Sequence, residues 1–229
     1  MSVSKIIECI KYNKLLGSKV SQIGTFGNLS IKIDKINMFI KPSGINYKSL
    51  NENQFYPVNL KNINSKHKYK PSVDSETHLY LYKYFPSINC IAHFHSKYAT
   101  IWSQSCKNIP ILGTTHADYF KNEILVTKKL NKNEINKNYQ INIAKSILKI
   151  FKEKKYSYLD CPGVLVANHG AFVWGISAED VINKSIILEF ISELAFKTLQ
   201  INKNIKVSKH LIEKHFSRKN GNSSYYGQK

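Results

Sequence analysis

The sequence predicts an α/β fold in layers, and three observations carry the prediction. Apolar runs of strand length, INCIAHFH and PGVLVANHGAFVWG, lie among stretches of helical periodicity such as Ile141 to Phe151. The two kinds of element mix without the strict alternation of a β/α barrel. No Pro-, Gly- or Ser-rich linker divides the 229 residues, so residues 1–229 read as one domain with one sizeable core.

Taken in order, Val3, Ile6, Ile7 and Ile10 fall at helical spacing with lysines between them, which is not the apolar core of a signal peptide. Two short strands follow the turn GTFGN, Ser30 to Asp34 and Asn37 to Lys41, joined at Asp34-Lys35. After a polar loop, Ser75 caps a helix through His78, Leu79 and Leu81 to Phe85, stopped by Pro86. INCIAHFH is a buried strand, and Lys97 to Gln104 behind it is helical. TTHADYF, a lysine-rich surface stretch and the Ile141 helix come next. PGVLVANHGAFVWG reads as two strands broken at Asn168-His169-Gly170. Ser177 to Asp180 has capping-box spacing and opens the longest helix, burying Val181, Ile182, Leu188, Ile191 and Ala195.

Composition bounds the function. A hydrophobic fraction of 42% is that of a globular chain, and no apolar run reaches bilayer-spanning length, so a cytoplasmic protein without membrane partners is expected. Cys9, Cys90, Cys106 and Cys161 are scattered without CxxC spacing, which fits reduced thiols. The net charge of +19 suggests nucleic acid, but of 34 basic residues all except Arg218 are lysine, accompanied everywhere by Asn and Ile. Arginine forks in clustered patches are the usual signature of phosphate and base recognition, so the charge reads as compositional drift and no nucleic-acid partner is expected.

Chemistry concentrates at a few places. On a strand, His93 and His95 put both imidazoles on one face and Phe94 into the opposite layer. That is half of a divalent-metal site, and His169, lifted out by the turn between two strands, is the third candidate. Taken singly, each histidine is equally compatible with a partly exposed surface imidazole. Lys41, Ser43 and Gly44 supply a cation, a hydroxyl and an open amide just past a strand, the parts of a phosphate cradle, to which Gly27 and Asn28 can add donors. Alone, each of these is an ordinary turn. Asp118 in HADYF can exchange protons with a sugar hydroxyl, Asp74 precedes a helix, and a phenol from the terminal YYGQK can serve as a proton donor.

From GTFGN through IKPSG, SVDSETHLYLY, HFHSKYATIWSQ, GTTHADYF and PGVLVANHGAFVWG to RKNGNSSYYGQK, the chain resembles the class II aldolase and epimerase family along nearly its whole length. The resemblance implies a three-layer α/β/α sandwich around a mixed, mostly antiparallel sheet. It also implies one divalent metal per subunit, usually Zn2+, on His93, His95 and His169 with Asp74 close by. Asp118 and Tyr226 become the paired acid and base. Gly27, Asn28, Lys41, Ser43, Gly44, Ser72, Val73 and Asp74 hold the phosphate and neighbouring hydroxyls. A cyclic homotetramer is implied, with sites between subunits, so that Asp118 and Tyr226 serve a neighbour's metal.

The reaction it implies is 4-epimerisation of L-ribulose 5-phosphate to D-xylulose 5-phosphate by retro-aldol cleavage and re-addition, within pentose catabolism. Family members that act as aldolases carry Glu at the Asp74 position, and epimerases carry Asp. Cleavage of a short ketose such as L-fuculose 1-phosphate is the alternative enzyme, and a basic nucleic-acid-binding protein on a degenerate scaffold the alternative of another class. Four departures stand out: Val73 where a second serine is usual, Glu76 for a common proline, Phe26 for a frequent Trp, and Gln140 near an expected acid.

Overall fold

The computed structural model describes residues 2–21, 24–220 and 224–225. Its centre is one five-stranded sheet in the order β2-β1-β3-β5-β4, built from β1 (Asn28–Lys32), β2 (Met38–Ile40), β3 (Cys90–Phe94), β4 (Gly163–Val166) and β5 (Gly170–Gly175). Every paired neighbour is antiparallel, and among the described residues the one parallel element is a single bridge between Val126 and Leu165. Two of these four pairings are hairpins, whereas β1–β3 and β3–β5 pair across longer connections. β1 and β2 are joined by a turn in which Asp34 Oδ1 accepts from the amides of Ile36 and Asn37. The hairpin joining β4 and β5 turns at Asn168, whose φ is +61°.

Side chains alternate through the sheet and create a core on each face. Leu29, Ile31, Ala92, Phe94, Leu165, Ala171 and Val173 face α1 (Ser2–Leu16), α3 (Lys97–Ser105) and α7 (Ala178–Ile201). Ile91, Val164, Val166, Phe172 and Trp174 face α2 (Ser75–Tyr84) and α6 (Tyr139–Lys154). The result is the expected three-layer sandwich. Its fully buried aromatics carry much of the stability: cutting Phe172 or Phe94 back to alanine costs about 3–5 kcal/mol. Outside the layers lie α4 (Thr114–Ala117), α5 (Lys132–Asn136) and α8 (Lys209–Lys219). Among the described residues no helix is long and apolar enough to cross a membrane.

Some element boundaries differ from those expected: β1 runs Asn28–Lys32 where the sequence predicts Ser30 to Asp34, β2 is Met38–Ile40 within the predicted Asn37 to Lys41, and α2 starts one residue early. Ser75 is the first residue of α2 and not its cap; Asp74 occupies the cap position, and Ser75 Oγ donates to the Ser72 carbonyl at 2.6 Å. Ser177 does cap α7, accepting from the Asp180 amide, and the five residues expected to bury on that helix are all buried. Cys9, Cys90 and Cys161 are buried free thiols, whereas Cys106 is half-buried at the left-handed end of α3.

Candidate active site

The sheet places the histidines. β3 carries His93 on the α2/α6 side, with Phe94 in the opposite core, and His95 follows as the strand ends. His169 comes from the β4–β5 turn. The group formed by His93, His95 and His169 has its candidate ligand atoms within 4.8 Å of one another.

Helix α3 fixes two of the three. Its N-terminus begins just after His95 and is capped from across the core: the Ser96 hydroxyl and the amides of Tyr98 and Ala99 all donate to the Glu189 carboxylate of α7. Its C-terminal end holds the other turn, where the Ser103 hydroxyl accepts from the His169 amide at 3.0 Å and the Ser103 carbonyl from the Asn168 amide at 3.0 Å. Gly170 allows the close approach, since a Cβ there would lie 2.7 Å from the Phe94 carbonyl and 3.4 Å from both His93 and His95.

The imidazoles suit a divalent ion. His93 Nδ1 donates to the Ala171 carbonyl at 3.0 Å, which fixes its tautomer and leaves Nε2 with a lone pair aimed inward. The Nε2 atoms of His93 and His95 lie 3.1 Å apart. Two nitrogens about 2.0–2.1 Å from a tetrahedral ion sit about 3.3 Å apart, so the spacing fits a shared metal. The buried Nδ1 of His169 has no hydrogen-bond partner among the described residues. Burial keeps all three rings neutral, pushing each below its ordinary pKa, reinforced by the neighbouring imidazoles and taking His169 down to about 4. Neutral rings are the form that binds metal.

Asp74 faces this cluster from the start of α2. Its Oδ2 accepts from Asn28 Nδ2 at 2.7 Å, and the same Asn28 amide reaches Ser72 Oγ at 2.9 Å. Burial works to raise the Asp74 carboxyl, but the charge of His93 or His78 when protonated and the Asn28 hydrogen bond act against it, and its pKa lies below the usual value; with the rings neutral, the Asn28 bond is what holds the buried anion. Asn28 is the register partner of His93 on β1, and Gly27 before it has φ +85° with no room for a Cβ, which would meet the His93 carbonyl at 2.7 Å.

The residues expected to form a phosphate cradle lie close to one another at the same end. A bridge between Pro42 and Pro71 lays residues 41–44 beside residues 70–74, and the Ser43 amide donates to the Lys70 carbonyl. That amide is therefore committed to the protein. The Ser43 side chain and Gly44 are exposed, and Val73 is 67% exposed on the adjoining loop. Lys41 is only 2% exposed; its ammonium donates to the Thr25 carbonyl and sits 4.9 Å from the Tyr47 ring centre. Burial pushes the amine down to about 8, against the pull of Asp74.

Asp118 belongs to a different cluster within the chain. Arg218 grips its carboxylate with two bonds of 2.9 and 2.7 Å, and His215 and Lys219 add contacts at 3.1 and 3.6 Å, all from α8. Tyr226 lies outside the described residues.

Two residues escaped the sequence reading. Glu189 is a half-buried acid of α7, and its only signal in the sequence is its place beside the buried Leu188. His78, one turn after Asp74, is buried beneath the site; its Nδ1 pairs with Ser30 Oγ at 2.8 Å and burial pushes it down to about 3, so it stays neutral. Phe26, 6.1 Å from the His95 ring, walls the mouth of the cluster.

Residues 7–196 match the family model described as "Class II Aldolase and Adducin N-terminal domain". The chain is 37% identical over 207 residues to an L-ribulose-5-phosphate 4-epimerase UlaF of Salmonella paratyphi A, covering 90% of each protein, and equally to that of Salmonella typhi. Among solved structures it is similar to an L-fuculose 1-phosphate aldolase, with a TM-score of 0.76 at 22% identity over 94% of this chain and 95% of that one. An L-fuculose 1-phosphate aldolase from Glaciozyma antarctica PI12 gives a TM-score of 0.72 at 14% identity over 94% and 82% of the two chains. At such identities the structural likeness speaks to the fold.

Proposed function

From the premise that this chain belongs to the class II aldolase family, we propose that it interconverts L-ribulose 5-phosphate and D-xylulose 5-phosphate, acting as a metal-dependent 4-epimerase. The observation that carries the reading is the Asp74 carboxylate, held by Asn28 against three converging imidazoles. In this family Asp at that position accompanies epimerases and Glu accompanies aldolases.

His93, His95 and His169, with Asp74 beside them, would hold one divalent ion per subunit, Zn2+ in our reading. When bound, it supplies Lewis acidity toward the ketose carbonyl and the adjacent hydroxyl. The chain's own residues do the rest. Lys41, Ser43, Gly44, Gly27, Asn28 and Ser72, with the Val73 amide, orient the phosphate end. Asp118 and Tyr226 of a neighbouring subunit stand on opposite faces of C4: one takes the hydroxyl proton as the C3–C4 bond breaks to the dihydroxyacetone enediolate and glycolaldehyde phosphate. After the aldehyde turns over, the bond reforms and the other returns a proton to the new hydroxyl. This assignment requires an assembly with sites between subunits, for which we take a cyclic homotetramer, and it treats residues 1–229 as one catalytic domain in the cytoplasm. Supply of the pentose phosphate from arabinose breakdown fits the chemistry.

The test is conversion of L-ribulose 5-phosphate by purified protein with and without chelator, beside His95→Ala and Tyr226→Phe. Conversion abolished by chelator and crippled by both substitutions is expected. Free glycolaldehyde phosphate without epimer would overturn the reading in favour of aldol cleavage, to which the apolar Val73 in the phosphate loop gives its one specific support.

A further inference from the structure

One aromatic side chain stands over the imidazole cluster with no role in the reading above. Tyr139 opens α6, and its ring centre lies 6.3 Å from that of His169, tilted by 32°. The ring does not fill the core, being 37% exposed, and among the described residues nothing hydrogen-bonds its hydroxyl. Its backbone, by contrast, is fixed on both sides. Asn138 takes a left-handed φ of +56° to bring the chain into the helix, and the Gln140 carbonyl accepts from the Thr77 hydroxyl at 2.8 Å.

Thr77 is buried on α2 three residues after Asp74. The start of α6 is thus tied to the same turn of helix that presents Asp74 to the imidazoles. A tyrosine phenol is protonated at neutral pH, so in this position it donates a hydrogen bond.

We propose that Tyr139 is a substrate-contacting residue of this site, donating a hydrogen bond to an oxygen of the phosphorylated ketose beside His169, and that Thr77 is its positioning residue through Gln140. The assignment rests on the pentose-phosphate reading. It adds a phenol from the subunit that carries the imidazoles, distinct from Tyr226.

Tyr139→Phe, Thr77→Val and the double variant of the full-length, metal-loaded protein test it, with kcat/KM, bound metal, melting midpoint and equilibrium binding of D-xylulose 5-phosphate all measured. Tyr139→Phe keeps the ring over His169, so metal content and melting midpoint should match wild type while kcat/KM and sugar-phosphate affinity fall about tenfold, the scale of one neutral hydrogen bond. Thr77→Val should lower both by a smaller factor, with the double variant no worse than Tyr139→Phe because the two act through one contact. Wild-type kcat/KM and affinity in Tyr139→Phe overturn the assignment, as does a loss that tracks lost metal, and additive losses in the double variant overturn the role of Thr77. Wild-type protein that neither binds nor converts the pentose phosphate overturns the substrate reading, and this assignment with it.

Discussion

The Nε2 atoms of His93 and His95 approach to 3.1 Å, close to the edge of a tetrahedral metal site. Two neutral imidazoles held this near one another by a strand and a helix cap gain their full set of interactions when an ion sits between them. A ligand that binds only the folded state raises stability in proportion to the logarithm of its concentration over Kd. Adding Zn2+ or Mn2+ to chelator-treated protein should therefore raise its melting midpoint by several degrees, on the order of 3 °C per 1 kcal/mol of linkage at this size. His95→Ala should abolish that rise and the bound metal together. A rise that survives in the variant places the ion elsewhere.

Lys41 gives a pH dependence with a definite sign. Burial pushes its amine down to about 8, so the free protein carries the cation below that pH and loses it above. A bound phosphate holds the ammonium in its charged form, so the titration belongs to kcat/KM and not to kcat. With L-ribulose 5-phosphate, kcat/KM should fall about tenfold per pH unit beyond about 8 while kcat stays level. Lys41→Arg should remove the break, because a guanidinium remains charged throughout. A level kcat/KM profile to pH 9.5 in wild type would remove Lys41 from phosphate binding.

What the sequence made legible follows from the range of the forces involved. The HxH spacing places two rings on one strand face by local geometry alone, and the NHG turn between apolar strands lifts His169 by the same logic. The strands, the hairpin at Asp34 and the Ser177 cap are local too. Glu189 was invisible because its role is made by three donors roughly 90 positions away in sequence. The Thr77–Gln140 tie was hidden in the same way, by 63 positions. The Asp118 cluster depends on α8, a helix with no buried residue, whose Arg218 reaches Asp118 across 100 positions of sequence.

Val73 is the departure most open to reversal. It is 67% exposed on the loop bridged to residues 41–44, so a hydroxyl placed there meets no packing constraint. Val73→Ser should leave the melting midpoint within about 1 °C, as surface substitutions do. It should lower KM for the phosphorylated ketose by about three- to tenfold, the worth of one added hydrogen bond. An unchanged KM would show that the Val73 side chain does not face the phosphate.

Asp118 links stability to pH through α8. Burial works to raise its carboxyl, but the hydrogen bonds from Arg218 and His215 and the charge of Lys219 outweigh it, so the folded pKa lies below the ordinary 3.8. A carboxyl lowered on folding contributes stability that is fully present above the unfolded value and is lost as pH falls through the folded one. Asp118→Asn mimics the protonated state at every pH. Its melting midpoint should therefore lie about 3 °C below wild type at pH 7, a partly exposed pair being worth little more. The gap should close as both proteins are taken well below pH 3.8, where the wild-type carboxyl is itself neutral. If the gap persists at low pH, the loss comes from packing or from the subunit arrangement, and the Arg218 grip is not what the carboxylate contributes. Activity separates the two uses of the residue: the acid/base role predicts a large loss of kcat in Asp118→Asn at pH 7, far beyond anything a 3 °C shift in midpoint produces.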